Sequence, residues 1–198
     1  FECEWRPFLL CRRIGIGVTE IGSGRHVFLL SLLSYVGMDP SKDVTLITHP
    51  PAECVKLFAA GKLDAYQAFA EEVQELRARK IGHVIMNSTT DRPWSQYFCC
   101  MLAGNRDFVR KHPIATKRAV RAILKASSVC ALEPERVTRQ LIDRKFTAVP
   151  YEYVRDTLQS LPYMKWREYD AEDTIRFYAV RLREVGMLKA SPQKIITQ

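Results

Sequence analysis

Hydrophobic positions follow two regimes along the chain. From Arg13 to Val18 apolar residues recur at every second position, the period of a half-buried strand. A turn follows at Gly22-Ser23-Gly24. The stretch from Arg25 to Val36 is apolar on nearly all sides, which predicts a buried helix; it stops at Gly37, with Pro40 shortly beyond. Asp43 to Thr48 predicts the next strand, Pro50 and Pro51 open a short helix that closes at Gly61, and Leu63 to Phe69 predicts a third strand. A charged helix over Glu71 to Lys80, a strand over Gly82 to Met86 and one more strand from about Gln96 to Ala103 complete this half. Alternating strands and helices with short connections imply a largely parallel sheet covered by helices.

Beyond Ala103 the period becomes helical. Asp107 to Cys130, Pro134 to Lys145, Tyr151 to Ser160 and Ala171 to Val185 all predict helices. The last carries Ile175, Tyr178, Ala179, Leu182 and Val185 on one face, with Asp170 placed to cap it and Gly186 to end it. Four amphipathic helices without a second sheet must either pack on each other or cover a sheet supplied by other sequence. The organisation expected is an unmatched segment over 1–11, an α/β ligand-binding lobe over 12–104, and a helical region over 105–198 belonging to another lobe.

Composition narrows the classes. With 47% hydrophobic and 26% charged residues the chain is globular, and its longest apolar run, Val27 to Val36, is far short of the roughly 20 residues that span a bilayer. The opening Phe1-Glu2-Cys3-Glu4-Trp5-Arg6-Pro7 lacks the basic start and apolar stretch of a secretory signal, so either the chain stays inside the cell or its true beginning lies elsewhere. A net charge of +8 favours anionic partners without choosing among them. Cys3, Cys11, Cys54, Cys99, Cys100 and Cys130 show no C-x-x-C spacing, and His26, His49, His83 and His112 are scattered, so no metal or other cofactor is expected. Most of the six cysteines are expected to be small buried hydrophobes.

Three segments carry candidate binding chemistry. Gly22-Ser23-Gly24 precedes a helix, where unpaired amides and the positive end of the helix dipole receive an anion; Ser23 adds a hydroxyl and His26 lies in the first turn. The plainer alternative is a tight turn with Ser23 as N-cap. Tyr66 and Gln67 lie near the carboxyl end of a strand, where open α/β sheets hold ligands, although Tyr66 would serve equally as core. Trp94, Ser95 and Gln96 combine an aromatic face with polar groups, the mixture of a small-molecule pocket or of packing behind Pro93. Lys117, Arg121 and Lys125 form an i, i+4, i+8 stripe that reads as a solvated helix face, since no nucleic-acid motif accompanies it.

The succession Arg13-Ile14-Gly15-Ile16-Gly17-Val18, Gly22-Ser23-Gly24-Arg25-His26, Gly37-Met38-Asp39-Pro40 and Gly61-Lys62-Leu63-Asp64-Ala65 resembles the second lobe of type II periplasmic binding proteins. Gln74 to Ile85, Asp91 to Cys100, and Trp166 to Met187 are similar to a subgroup of the same solute-binding family, the nitrate, sulfonate, taurine and thiamine-precursor branch of ABC importers. The resemblance implies an α/β, type II periplasmic-binding-protein-like fold, a parallel-sheet lobe followed by a helical C-terminal portion, with the N-terminal lobe of the family unmatched in this sequence. It also implies a monomer that binds a small organic anion or related solute, of sulfonate, nitrate, taurine or pyrimidine type, in an interlobe cleft, docks on a membrane ABC permease and works in the periplasm, without nucleic acid and without catalysis. The resemblance implies that the Gly22–Gly24 loop faces the cleft, and His26, Tyr66, Gln67 and Trp94–Gln96 complete the expected contacts. The same broad family includes iron-dependent pyrimidine synthases, whose cysteine-rich segment Phe98-Cys99-Cys100 faintly resembles; an enzyme is the alternative.

Overall fold

The computed structural model describes residues 13–98 and 100–197, and these group into two compact units. One holds the described residues through His83 together with those from Asp170 onward; the other runs from Val84 to Tyr169.

The first unit is α/β. Strands β1 (Ile14–Val18), β2 (Val44–Thr48) and β3 (Ala65–Tyr66) form a parallel sheet in the order β2-β1-β3, with Ile14 paired to Val44 and Gly17 to Tyr66. Helices α1 (Gly24–Tyr35), α2 (Pro51–Ala59) and α3 (Ala70–Ala78) follow the three strands in turn. Ile16 and Val44 pack with Leu29, Leu30 and Leu33 of α1 into one core, against which Ile14, Leu46 and Val185 also lie. The near-uniform apolarity of Arg25 to Val36 is thereby explained, because α1 is covered on more than one side.

One of those covers is α8 (Ala171–Glu184), which packs on α1 and is followed by α9 (Pro192–Ile196). Asp170 caps α8 by accepting the Asp173 amide at 2.8 Å, Ala179 is buried on the expected face, and Gly186 ends the run at φ +75°. Residues 170–197, read from sequence with the helical region 105–198, therefore group with the sheet. The reason is physical: the apolar stripe of α8 finds its surface on α1.

Two expected strands do not form. Residues 82–86 and 96–103 have no strand among the described residues, and Ile85, Met101 and Leu102 are exposed. Each is apolar enough to be a strand, but β2 and β3 already flank β1 on both sides, and β3 is only two residues long. An apolar run becomes a strand only where a neighbour supplies its ladder. The parallel sheet is thus smaller than the alternation predicted.

The second unit is helical: α4 (Arg106–Lys111), α5 (Pro113–Leu132), α6 (Pro134–Asp143) and α7 (Tyr151–Ser160). The helix expected as one piece over Asp107 to Cys130 is broken at His112, which has φ −129° and ψ 57°, and Glu133 before Pro134 does the same at φ −134° and ψ 52°. Both residues precede a proline, whose ring clashes with a helical conformation at the preceding position. The core of this unit is Val137 of α6 with Val154 and Leu158 of α7, flanked by Val129, Leu141 and Tyr163.

Of the described cysteines, Cys54 is buried, Cys130 half-buried and Cys100 exposed. Cys3, Cys11 and Cys99 lie outside the described residues, as does the segment 1–11. No helix among the described residues is long and apolar enough to cross a membrane.

Candidate anion-binding turn of the sheet unit

The turn between β1 and α1 leaves the sheet at its carboxyl edge, the side on which Tyr66 ends β3 beside Gly17. Within it Ser23 takes an extended conformation, φ −68° and ψ 165°, and caps α1: its Oγ accepts the His26 amide at 3.3 Å and donates to the Glu20 carbonyl at 2.7 Å. Gly22, at φ +84°, adopts the left-handed region and donates its amide to Nδ1 of His26 at 3.0 Å. Gly22, Ser23 and His26 are therefore brought together as one cap. The amides of Gly24 and Arg25 belong to the set that a helix cannot bond internally, and they stand at the positive end of the α1 dipole.

The bond from Gly22 makes Nδ1 of His26 an acceptor, which fixes the neutral imidazole with its proton on Nε2. His26 is buried, and burial lowers its pKa below the ordinary histidine value by penalising the charged form.

Beneath the turn lies a charged cluster that sequence reasoning did not single out. Arg25 is 9% and Glu72 16% exposed at the side chain, and they form an ion pair with Nη2 to Oε1 at 3.1 Å. Tyr66 donates its hydroxyl to Glu72 Oε2 at 2.7 Å, while Arg25 Nη1 approaches the Tyr66 hydroxyl at 3.5 Å. Glu72 also accepts the Phe69 amide at 2.8 Å, which fixes the entry to α3, and the Arg25 guanidinium lies 3.4 Å from the centroid of the Phe69 ring. Desolvation, followed by the bond to Glu72, pushes the Tyr66 phenol well above its ordinary value, so it stays a donor at every physiological pH. The signal in the sequence was an arginine inside an otherwise apolar helix, a residue that is rarely buried without a partner.

Gln67 follows β3 and donates its amide to the Gly17 carbonyl at 3.2 Å; its side-chain Oε1 is buried and accepts no hydrogen bond from the described residues. The strands close tightly here. A Cβ added at Gly17 would come within 2.7 Å of Leu63 and 3.2 Å of Tyr66. Gly15 donates its amide to Asp64 Oδ2 at 2.8 Å, tying the start of β1 to the residue that precedes β3.

Trp94, Ser95 and Gln96 form a 3-10 turn in the other unit rather than the start of a strand, with Trp94 buried and Gln96 exposed. Among the described residues no group of three or more His, Cys, Asp or Glu is placed to hold a metal ion.

Comparison with known proteins follows the same segment. A sequence model of the NMT1-like family matches residues 11–142. The chain is 28% identical over 157 residues to the bicarbonate transport ATP-binding protein CmpC of Synechocystis sp., covering 76% of this chain and 23% of that protein. It is 27% identical over 125 residues to the bicarbonate-binding protein CmpA of Synechococcus elongatus, covering 62% and 27%. It is also 27% identical over 144 residues to the nitrate/nitrite binding protein NrtA of Synechocystis sp., covering 71% and 32%. The chain thus spans about a quarter to a third of the length of these relatives. No solved structure matches.

Proposed function

The chain belongs to the NMT1-like family, and from that premise we propose that it is a solute-binding module of an ABC importer, taking a small inorganic or organic anion at the turn before α1. The observation that carries this reading is the arrangement of Gly22, Ser23 and Gly24 at the amino end of a buried helix, inside the region the family shares. Two relatives are named for binding bicarbonate and nitrate or nitrite, both small planar anions. Amides at a helix terminus suit that chemistry, because they offer donors and partial positive charge without a mobile side chain.

The groups around the turn support roles for each part. Gly24 and Arg25 supply amides to the anion, and Ser23 holds the turn in register. His26, neutral, presents its Nε2 proton as a donor rather than a full charge. Arg25 lends positive potential from below while remaining held by Glu72 and Tyr66. Gln67 Oε1, an acceptor, suits a solute that carries a proton, as bicarbonate does and nitrate does not. The finer fold we propose is that of type II periplasmic binding proteins, in which two lobes close on the solute, with a membrane permease as partner and the periplasm as location.

Thermal denaturation of the purified chain against bicarbonate, nitrate, taurine, alkyl sulfonates, phthalate and pyrimidines tests the reading. A ligand present at 100 times its dissociation constant stabilises by about 2.7 kcal/mol. One or more anions should raise the melting temperature in a saturable way, and Ser23→Pro with Gly24→Pro should abolish the rise. A panel with no saturable shift contradicts the proposal.

A further inference from the structure

Positive charge is not spread evenly over this chain. Between Val84 and Tyr169 there are fifteen Lys and Arg against eight Asp and Glu, so this unit carries +7 of the chain's +8. Within it α5 runs for 20 residues without one buried residue, and Ile114 and Ile123 on it are exposed. A helix of that length normally buries an apolar stripe.

One flank of α5 borders a groove of about 510 Å³, within the range of small-molecule sites. Its cationic wall is Lys117, Arg121 and Lys125, one helical turn apart along α5, with Arg167 opposite; Val120, Leu124 and Trp166 supply the apolar surface. Arg167 lies 4.1 Å from the centroid of the Trp166 ring, so the guanidinium and the aromatic face are held together as one element. Among the described residues no carboxylate lines the groove. Arg136 pairs with Glu133 and Arg155 with Asp156 elsewhere on the second unit, whereas Lys117, Arg121, Lys125 and Arg167 form no ion pair among the described residues and stand together around an apolar floor.

We propose that this groove is a second binding site, distinct from the turn before α1, for a free amphiphilic organic anion: a carboxylate, sulfonate or phosphate head on an aromatic or short aliphatic body. The head sits among Lys117, Arg121 and Lys125, and the body lies on Trp166 between Val120 and Leu124. Neither half suffices. A bare inorganic anion leaves the apolar floor wet, and a neutral hydrocarbon leaves the cations unmatched.

The probe is 8-anilinonaphthalene-1-sulfonate, which has both halves and reports burial by fluorescence, titrated into the full chain at about 0.15 M salt. The expected result is saturable binding, weakened at least tenfold by Arg121→Glu with Lys125→Glu and by Trp166→Ala. Lys62→Glu, an exposed change in the other unit, leaves the affinity unaltered. Circular dichroism melts establish that each variant remains folded; Arg121→Lys, which keeps the charge, should retain most of the affinity should the reversal variants unfold. Hexanesulfonate should displace the probe and sodium sulfate at the same concentration should not. The proposal is overturned if the charge reversals leave the affinity unchanged, if neutral N-phenyl-1-naphthylamine binds as tightly, or if sulfate displaces the probe. Cosedimentation with phosphatidylglycerol vesicles, lost in the same variants, together with no displacement by hexanesulfonate, would assign the groove to a lipid headgroup and overturn the free solute. Loss of anion stabilisation in Ser23→Pro with Gly24→Pro leaves these results untouched, so the two sites fail independently.

Discussion

Replacing Glu72 by leucine removes the partner of a buried cation, and the structure sets the size of the effect. Arg25 is left with a phenol 3.5 Å away and an aromatic face, but no anion, and with 9% of its side chain exposed it has little access to water. Breaking a buried ion pair from one side costs about 3–5 kcal/mol. The lower end, about 3 kcal/mol, is expected here because Glu72 is 16% exposed and its removal opens a path for water. Glu72→Gln should cost about half as much, since the amide oxygen still accepts from Tyr66 and from the Phe69 amide. Arg25→Leu with Glu72→Leu should cost less than Glu72→Leu alone, because no charge then remains buried. Urea unfolding followed by circular dichroism measures all three. With a slope of about 2 kcal/mol/M, Glu72→Leu lowers the midpoint by about 1.5 M. A midpoint shift below about 0.3 M, or a double variant as damaged as the sum of the single ones, would refute the description of a coupled buried pair.

Further outcomes follow from single contacts. Gly17→Val forces a side chain into the space held by Leu63 and Tyr66 and should destabilise by about 1–3 kcal/mol, read from the same urea curves. Asp170→Ala removes the cap of α8 and should cost about 1 kcal/mol, with fraying seen as faster amide exchange over residues 171–174. His26 has a folded pKa below its unfolded value, so the unfolded chain binds more protons in the interval between them. Stability is therefore full above about pH 6.5 and falls on acidification towards the folded pKa; melting temperatures across that range should show the slope, and His26→Gln should flatten it.

What the sequence disclosed depended on whether the signal was local. The cap at Ser23, the cap at Asp170 and the glycine stops at Gly37 and Gly186 are decided within four residues, and each is found where turn and cap chemistry put it. The strands expected over 82–86 and 96–103 are not seen among the described residues, because alternation states a residue's tolerance for a sheet, not the presence of a neighbour. The break at His112 is legible in Pro113, although the apolar periodicity runs on through it. At the site, Gly22, Ser23 and His26 are legible as neighbours in sequence and the structure joins them, whereas Glu72 is not, since its pairing to Arg25 spans 47 residues. The groove beside α5 was half visible: the Lys117, Arg121, Lys125 stripe is a helical spacing, but Trp166 and Arg167 reach it only through the fold.

Amide hydrogen exchange of the chain with and without bicarbonate or nitrate tests the central claim most directly. Solute held at the turn should slow exchange selectively over residues 22–26, by at least tenfold at saturation, while amides of α6 and α7 are unchanged. Saturable binding of either anion with no protection at these residues would contradict the account.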